Sequence, residues 1–164
     1  MFPEYSTAAE RAKNLMKEEF FFNAADDQGP FGNDIGAMAW EAFDGWRTRN
    51  REIDPVAFVG IIIDRLGYPR FELEESDLQI LQPYFTQNNL AARYIQDTDS
   101  AILSIAFGQL YLEGTISPAL AAMADNALDR ELEHGMLAIC DSDAREERRE
   151  KLVIMQKVVE QVMG

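Results

Sequence analysis

Two side chains on which many active and metal sites depend are nearly missing. The chain has one cysteine, Cys140, and one histidine, His134. A single cysteine excludes an intramolecular disulfide, and these counts exclude the usual zinc sites built from cysteine and histidine. Glu131-Leu-Glu-His134 has the Glu-x-x-His spacing of di-iron bundles. Such a centre needs two of these motifs and further glutamates, so His134 reads as a surface residue near a helix end. Cys140 stands beside Asp141 and near Asp143, and negative neighbours disfavour the thiolate a nucleophile needs. No glycine-rich phosphate loop occurs, because "GPFGND" lacks both the lysine and the preceding strand. "DTDSAILSIAFG" offers Asp97 and Asp99 and little else of a calcium loop.

Positive charge is also scarce. Fifteen Lys and Arg face twenty-nine Asp and Glu, a net charge of −14. That field repels phosphate backbones and anionic membranes, so neither direct nucleic-acid binding nor membrane binding is expected. It draws in a partner with a basic surface. The longest apolar run, Val56 to Ile63, is too short to span a bilayer. The first twenty residues carry four acids and no long apolar run, so no secretory signal is expected. Together with the lone cysteine, this points to a cytoplasmic setting.

What is present is a helical pattern over 164 residues, 47% of them hydrophobic, enough for one domain with a real core. Thr7-Ala-Ala-Glu10 reads as a capping box opening an N-terminal helix. Asn33 or Asp34 caps a second helix, with Ile35, Ala39, Trp40, Phe43 and Trp46 inward. Asp54-Pro55 starts a third and Gly67 ends it. Its apolar faces place it at the centre of the fold. Ser76 caps "DLQILQPYF", which Pro83 bends or ends. Leu90–Gln96 and Ser100–Glu113 read as two separate helices. Ser117-Pro118 starts one that runs to about Gly135, and Asp143-Ala-Arg-Glu146 is a capping box for the last. The expected fold is all-α, a single irregular bundle of about seven or eight helices over residues 1–164, with residues 1–28 added before the core.

The stretch from Gly29 to Trp46, "GPFGNDIGAMAWEAFDGW", combines a fixed turn, a cap, small residues and large aromatics. It reads as a tightly specified helix entry, with Phe31 placed as a hydrophobic staple. It also resembles the opening of domain-of-unknown-function family 4259, an uncharacterised bacterial family. Gly29, Pro30, Phe31, Asn33, Asp34 and Trp40 fit that family's Gly-Pro-Phe-x-Asn-Asp pattern and the tryptophan that follows. "ALDREL", Ala127 to Leu132, is similar to a run in its later helix. Asp27-Gln28 stands where members typically carry Trp-Gly. The resemblance implies a helical fold and supplies no chemistry.

"EERRE", Glu146 to Glu150, matches half of a magnesium-binding signature of all-helical nucleotide pyrophosphatases. The second half is missing, since Met163 follows Glu160 at the required position. Its arginines read as charge pairs on a solvated face. No cofactor and no catalytic residue is therefore assigned. The remaining chemistry is the acidic surface. Glu72, Glu74, Glu75 and Asp77 in a loop, followed by Asp97 and Asp99, read as a patch for a cationic protein. The expected function is non-enzymatic protein binding, as an inhibitor or immunity-type protein covering a basic site. A nucleic-acid mimic and a carboxylate-only magnesium enzyme are the alternatives.

Overall fold

Every regular element is helical. The computed structural model describes residues 1–164 and contains no strand. Its helices are α1 (Glu10–Leu15), α2 (Asp34–Arg49), α3 (Val56–Leu66), α4 (Gln82–Gln87), α5 (Ala91–Glu113), α6 (Pro118–Leu132), α7 (His134–Leu137) and α8 (Ser142–Met163). The 3₁₀ turns Tyr5–Thr7 and Glu19–Phe22 complete the set. The chain is thus an all-α bundle of eight helices. No helix is long and apolar enough to cross a membrane.

Helix α5 is the axis of the bundle. From Ala101 to Tyr111 every residue is buried. α2, α3 and α6 pack round it, and α8 covers α6. The central place expected for the third helix therefore belongs to α5. α3 buries Phe58, Val59 and Ile62 but leaves Ala57, Gly60 and Ile61 exposed. Apolar content measures a tendency to be buried, and it does not say which helix the others surround. The two helices expected before and after Asp97–Asp99 are also one continuous helix. Ala91, Ile95 and Ile102 keep one inward face across the supposed break.

Local chemistry explains most helix ends. Asn33 Oδ1 accepts a bond from Gly36 N at 2.7 Å and caps α2. Phe31 is fully buried and meets the Trp40 ring edge-on at 5.5 Å. Gly67 takes the left-handed conformation (φ 68°) that closes α3. Other expected caps do not form. Thr7 sits in a 3₁₀ turn and bonds the Tyr111 hydroxyl instead of capping α1, so only a short helix follows. Asp143, expected to cap the last helix, lies inside the first turn of α8, and Asp141 at the cap position makes no side-chain bond. Pro83 lies in the first turn of α4, where its missing N–H does no harm, so it neither bends nor ends a helix. Phe20 and Phe21 lie in the core.

The rigid turn before α2 has a steric cause. A Cβ on Gly32 would collide with the Asp26 carbonyl, and one on Gly36 with the Pro30 carbonyl. Gly36 lies inside a helix, where alanine ordinarily gains about 1 kcal/mol. Here the clash reverses the sign. Gly36→Ala is expected to destabilise by about 1–3 kcal/mol. Gly60→Ala, with nothing within 4 Å of its added methyl, is expected to stabilise by about 0.5–1 kcal/mol. Urea unfolding of the two variants checks both signs.

Candidate functional site

The acidic loop lies between α3 and α4. Glu72, Glu74 and Asp77 are exposed and Glu75 is half-buried. No ion pair engages any of the four. Two of them bond to the loop's own backbone: Glu75 Oε2 accepts from Asp77 N at 3.1 Å, and Asp77 Oδ1 from Gln79 N at 2.9 Å. Glu72 and Glu74 remain as free charges. A groove of about 380 Å³ runs beside them, lined also by Leu81 and by Ile80, which is 62% exposed. An aliphatic side chain ringed by unneutralised carboxylates is thus presented to solvent.

The loop is held from inside. Arg130 Nη1 donates to the carbonyls of Leu73 at 2.7 Å and Glu75 at 3.0 Å. Its guanidinium lies over the Phe71 ring at 5.2 Å. The other side of the fork, Nε and Nη2, reaches Asp99, closest at 2.8 Å. Both side chains of that pair are fully buried. Under the loop, Leu81, Tyr84, Ala91, Ile95 and Met136 form a small second core. Tyr84 donates to the Pro69 carbonyl at 2.6 Å.

This geometry removes two residues from the expected partner-binding set. Asp99 is fully buried against Arg130. Asp97 is 7% exposed; it accepts from the Tyr68 hydroxyl at 2.7 Å and faces Arg93 at 3.5 Å. Asp99 is out of reach of a partner, and Asp97 is occupied by Tyr68 and Arg93 at the edge of a cleft. They brace the bundle, and Asp99 fixes the arginine that shapes the loop. The bond to Asp97 is the first cause that raises the Tyr68 pKa. Glu72, Glu74 and Glu75 line one groove, and Asp77 is exposed on the same loop.

Sequence reasoning missed Arg130, Glu131 and Arg148. Glu131 is 3% and Arg148 8% exposed, and they pair at 3.3 Å. Arg148 had been expected on a solvated face. A signal was present: Leu120, Ala124 and Ala127 form an inward stripe on α6 whose next position is Glu131.

The remaining expected positions are accounted for. Gly29, Pro30 and Phe31 are buried, and Asn33, Asp34 and Asp97 line a cleft of about 350 Å³ with Arg93 and Arg148. Trp40 lies in the core and donates to the Met1 carbonyl at 2.7 Å. His134 is exposed and Cys140 half-buried. Glu146 and Glu150 are exposed on α8, where Glu146 faces Arg149 at 3.9 Å. No group of three or more His, Cys, Asp or Glu side chains is arranged to hold a metal ion.

Lys151 ties the turn before α2 to α8. Its Nζ reaches Asp26 at 2.6 Å and Glu147 at 2.7 Å. Burial opposes its charge, but the bonds to these carboxylates outweigh that and raise its pKa. Arg47 and Glu113 form a two-pronged pair with distances of 2.6 and 3.0 Å. The bond from Arg47 is the first cause that lowers the Glu113 pKa. Comparison with protein-family models, with curated proteins and with solved structures finds no match.

Proposed function

We propose that this protein binds another protein through the Glu72–Asp77 loop, as an inhibitor or immunity-type module that covers a basic site. The observation that carries this reading is the pairing of free charge with a fixed backbone. Glu72 and Glu74 meet no cation, while Arg130 clamps the carbonyls of Leu73 and Glu75. A loop already held in shape loses little entropy on docking, which raises affinity without new contacts. Its charge, in a field of −14, speeds encounter with a basic face and selects against acidic ones. Ile80 supplies the apolar contact at the centre, and the carboxylates form the rim.

The test is capture from an extract of the protein's own source, with washes at low and then high salt. The wild type is compared with Glu72→Lys/Glu74→Lys. A basic protein is expected on the wild type, released by high salt and missing from the variant. Equal retention by both would place docking elsewhere. Release by duplex DNA would turn the reading toward a nucleic-acid mimic acting through the same carboxylates.

A further inference from the structure

We propose that the partner seats one aliphatic side chain, flanked by basic residues, in a small pocket built partly from the acidic loop. This names the partner's chemistry at the docking site and rests on the docking reading above.

The pocket opens where the end of α3 meets the loop, and its volume is about 50 Å³. α3 supplies Ile63 and Leu66, and the loop supplies Tyr68, Phe71 and Leu73. All five are half-buried, and the only buried residue of the lining is Thr98 of α5. Apolar carbon is therefore left facing water, where covering it is favourable.

Sequence neighbours divide between this pocket and the acidic groove. Phe71 and Leu73 line the pocket, Glu72 and Glu74 line the groove beside Ile80, and no residue lines both. An apolar seat and free carboxylates thus stand on adjacent residues of one stretch of backbone.

The walls are set before anything docks. The Tyr68 hydroxyl donates to Asp97 at 2.7 Å, and its ring stacks on Tyr94 at 4.4 Å. Tyr84 donates to the Pro69 carbonyl at 2.6 Å. Phe71 packs against the Arg130 guanidinium at 5.2 Å and the Tyr84 ring at 5.3 Å. The Leu73 carbonyl accepts the 2.7 Å bond from Arg130. A hollow whose walls are already tied costs little to order on binding.

Size selects the occupant. Small-molecule pockets run to about 300–1,000 Å³. This one is several-fold smaller and suits a single aliphatic side chain, the kind of anchor that a ring of polar contacts shields from water. Charge selects its flanks. Glu72 and Glu74 meet no cation. Arg70, the one cation of the lining, is paired with Asp64. A segment with lysine or arginine beside the aliphatic residue satisfies both hollows, and an acidic segment is repelled. A second copy of this chain is a poor occupant, because each copy carries −14.

Nuclear magnetic resonance of the full chain at low salt, with three synthetic peptides, tests this. The first peptide has leucine between two pairs of lysines. The second has serine in place of the leucine. The third has leucine between two pairs of glutamates. The methyl groups of Ile63, Leu66 and Leu73 report the pocket, and the backbone amides of residues 72–75 report the loop. The leucine–lysine peptide is expected to shift both sets and to bind about tenfold tighter than the serine peptide. The serine peptide should shift the loop amides alone, and the glutamate peptide neither set. Glu72→Lys/Glu74→Lys should weaken the leucine–lysine peptide about tenfold. Equal affinity for the two lysine peptides, with silent methyls, would overturn the proposal and leave docking on the carboxylates standing. Undiminished binding to the double variant would also overturn it, since the pocket would then act without its charges. Methyl shifts that follow protein concentration with no peptide present would put a second copy in the partner's place. Loop amides blind to both lysine peptides would sink the docking reading itself, and this proposal with it.

Discussion

Arg130→Met is expected to destabilise the protein by about 3–5 kcal/mol, because it strands Asp99 as a buried acid without its cation. Domains of this kind are stable by about 5–15 kcal/mol, so the variant stands near the edge of folding. Three losses coincide. Asp99 keeps none of its guanidinium bonds. The Leu73 and Glu75 carbonyls lose their donor. Phe71 loses the cation over its ring. Asp99→Asn is the control. It keeps an acceptor for Arg130 and removes the buried charge. Its expected cost is below about 2 kcal/mol. Combining Arg130→Met with Asp99→Asn should recover part of the lost stability, since the buried acid is gone. Urea midpoints of the three variants decide it. Equal costs for Arg130→Met and Asp99→Asn would contradict the ion pair's role.

Glu72→Lys/Glu74→Lys is expected to slow association with the basic partner about 10- to 100-fold at low salt. Neither carboxylate has a hydrogen bond or an ion pair to lose, and both are exposed. Each surface exchange should therefore change stability by no more than about 0.5 kcal/mol. The dissociation rate should move less than the association rate, since rim charges act mostly on encounter. Stopped-flow association beside a thermal melt separates the two effects. A variant that binds as fast as wild type would remove the loop from the interface.

Legibility from the sequence follows a physical divide. The entry to α2 was readable because its causes are local: Asn33 caps the helix three residues ahead, and Phe31 lies against Trp40. The left-handed close of α3 at Gly67 was readable for the same reason. The break imagined at Asp97–Asp99 came from reading each acid as a surface residue. Their burial depends on Tyr68 and on Arg130, which is thirty-one residues beyond Asp99. No local pattern announces such a partner. The exposure of Glu72, Glu74 and Asp77 was legible because it is a property of the loop itself, whose one arginine, Arg70, pairs with Asp64. The clamp that shapes them was not, because it comes from another helix.

The most direct test of docking through the acidic loop is the association rate of the captured partner across ionic strength. For wild type the rate is expected to fall steeply with added salt, as exposed charges are screened beyond about 8–10 Å near 0.1 M. For Glu72→Lys/Glu74→Lys the same plot should be shallower and start lower. Two flat lines, or two lines of equal slope, would show that the carboxylates of this loop do not guide the partner in.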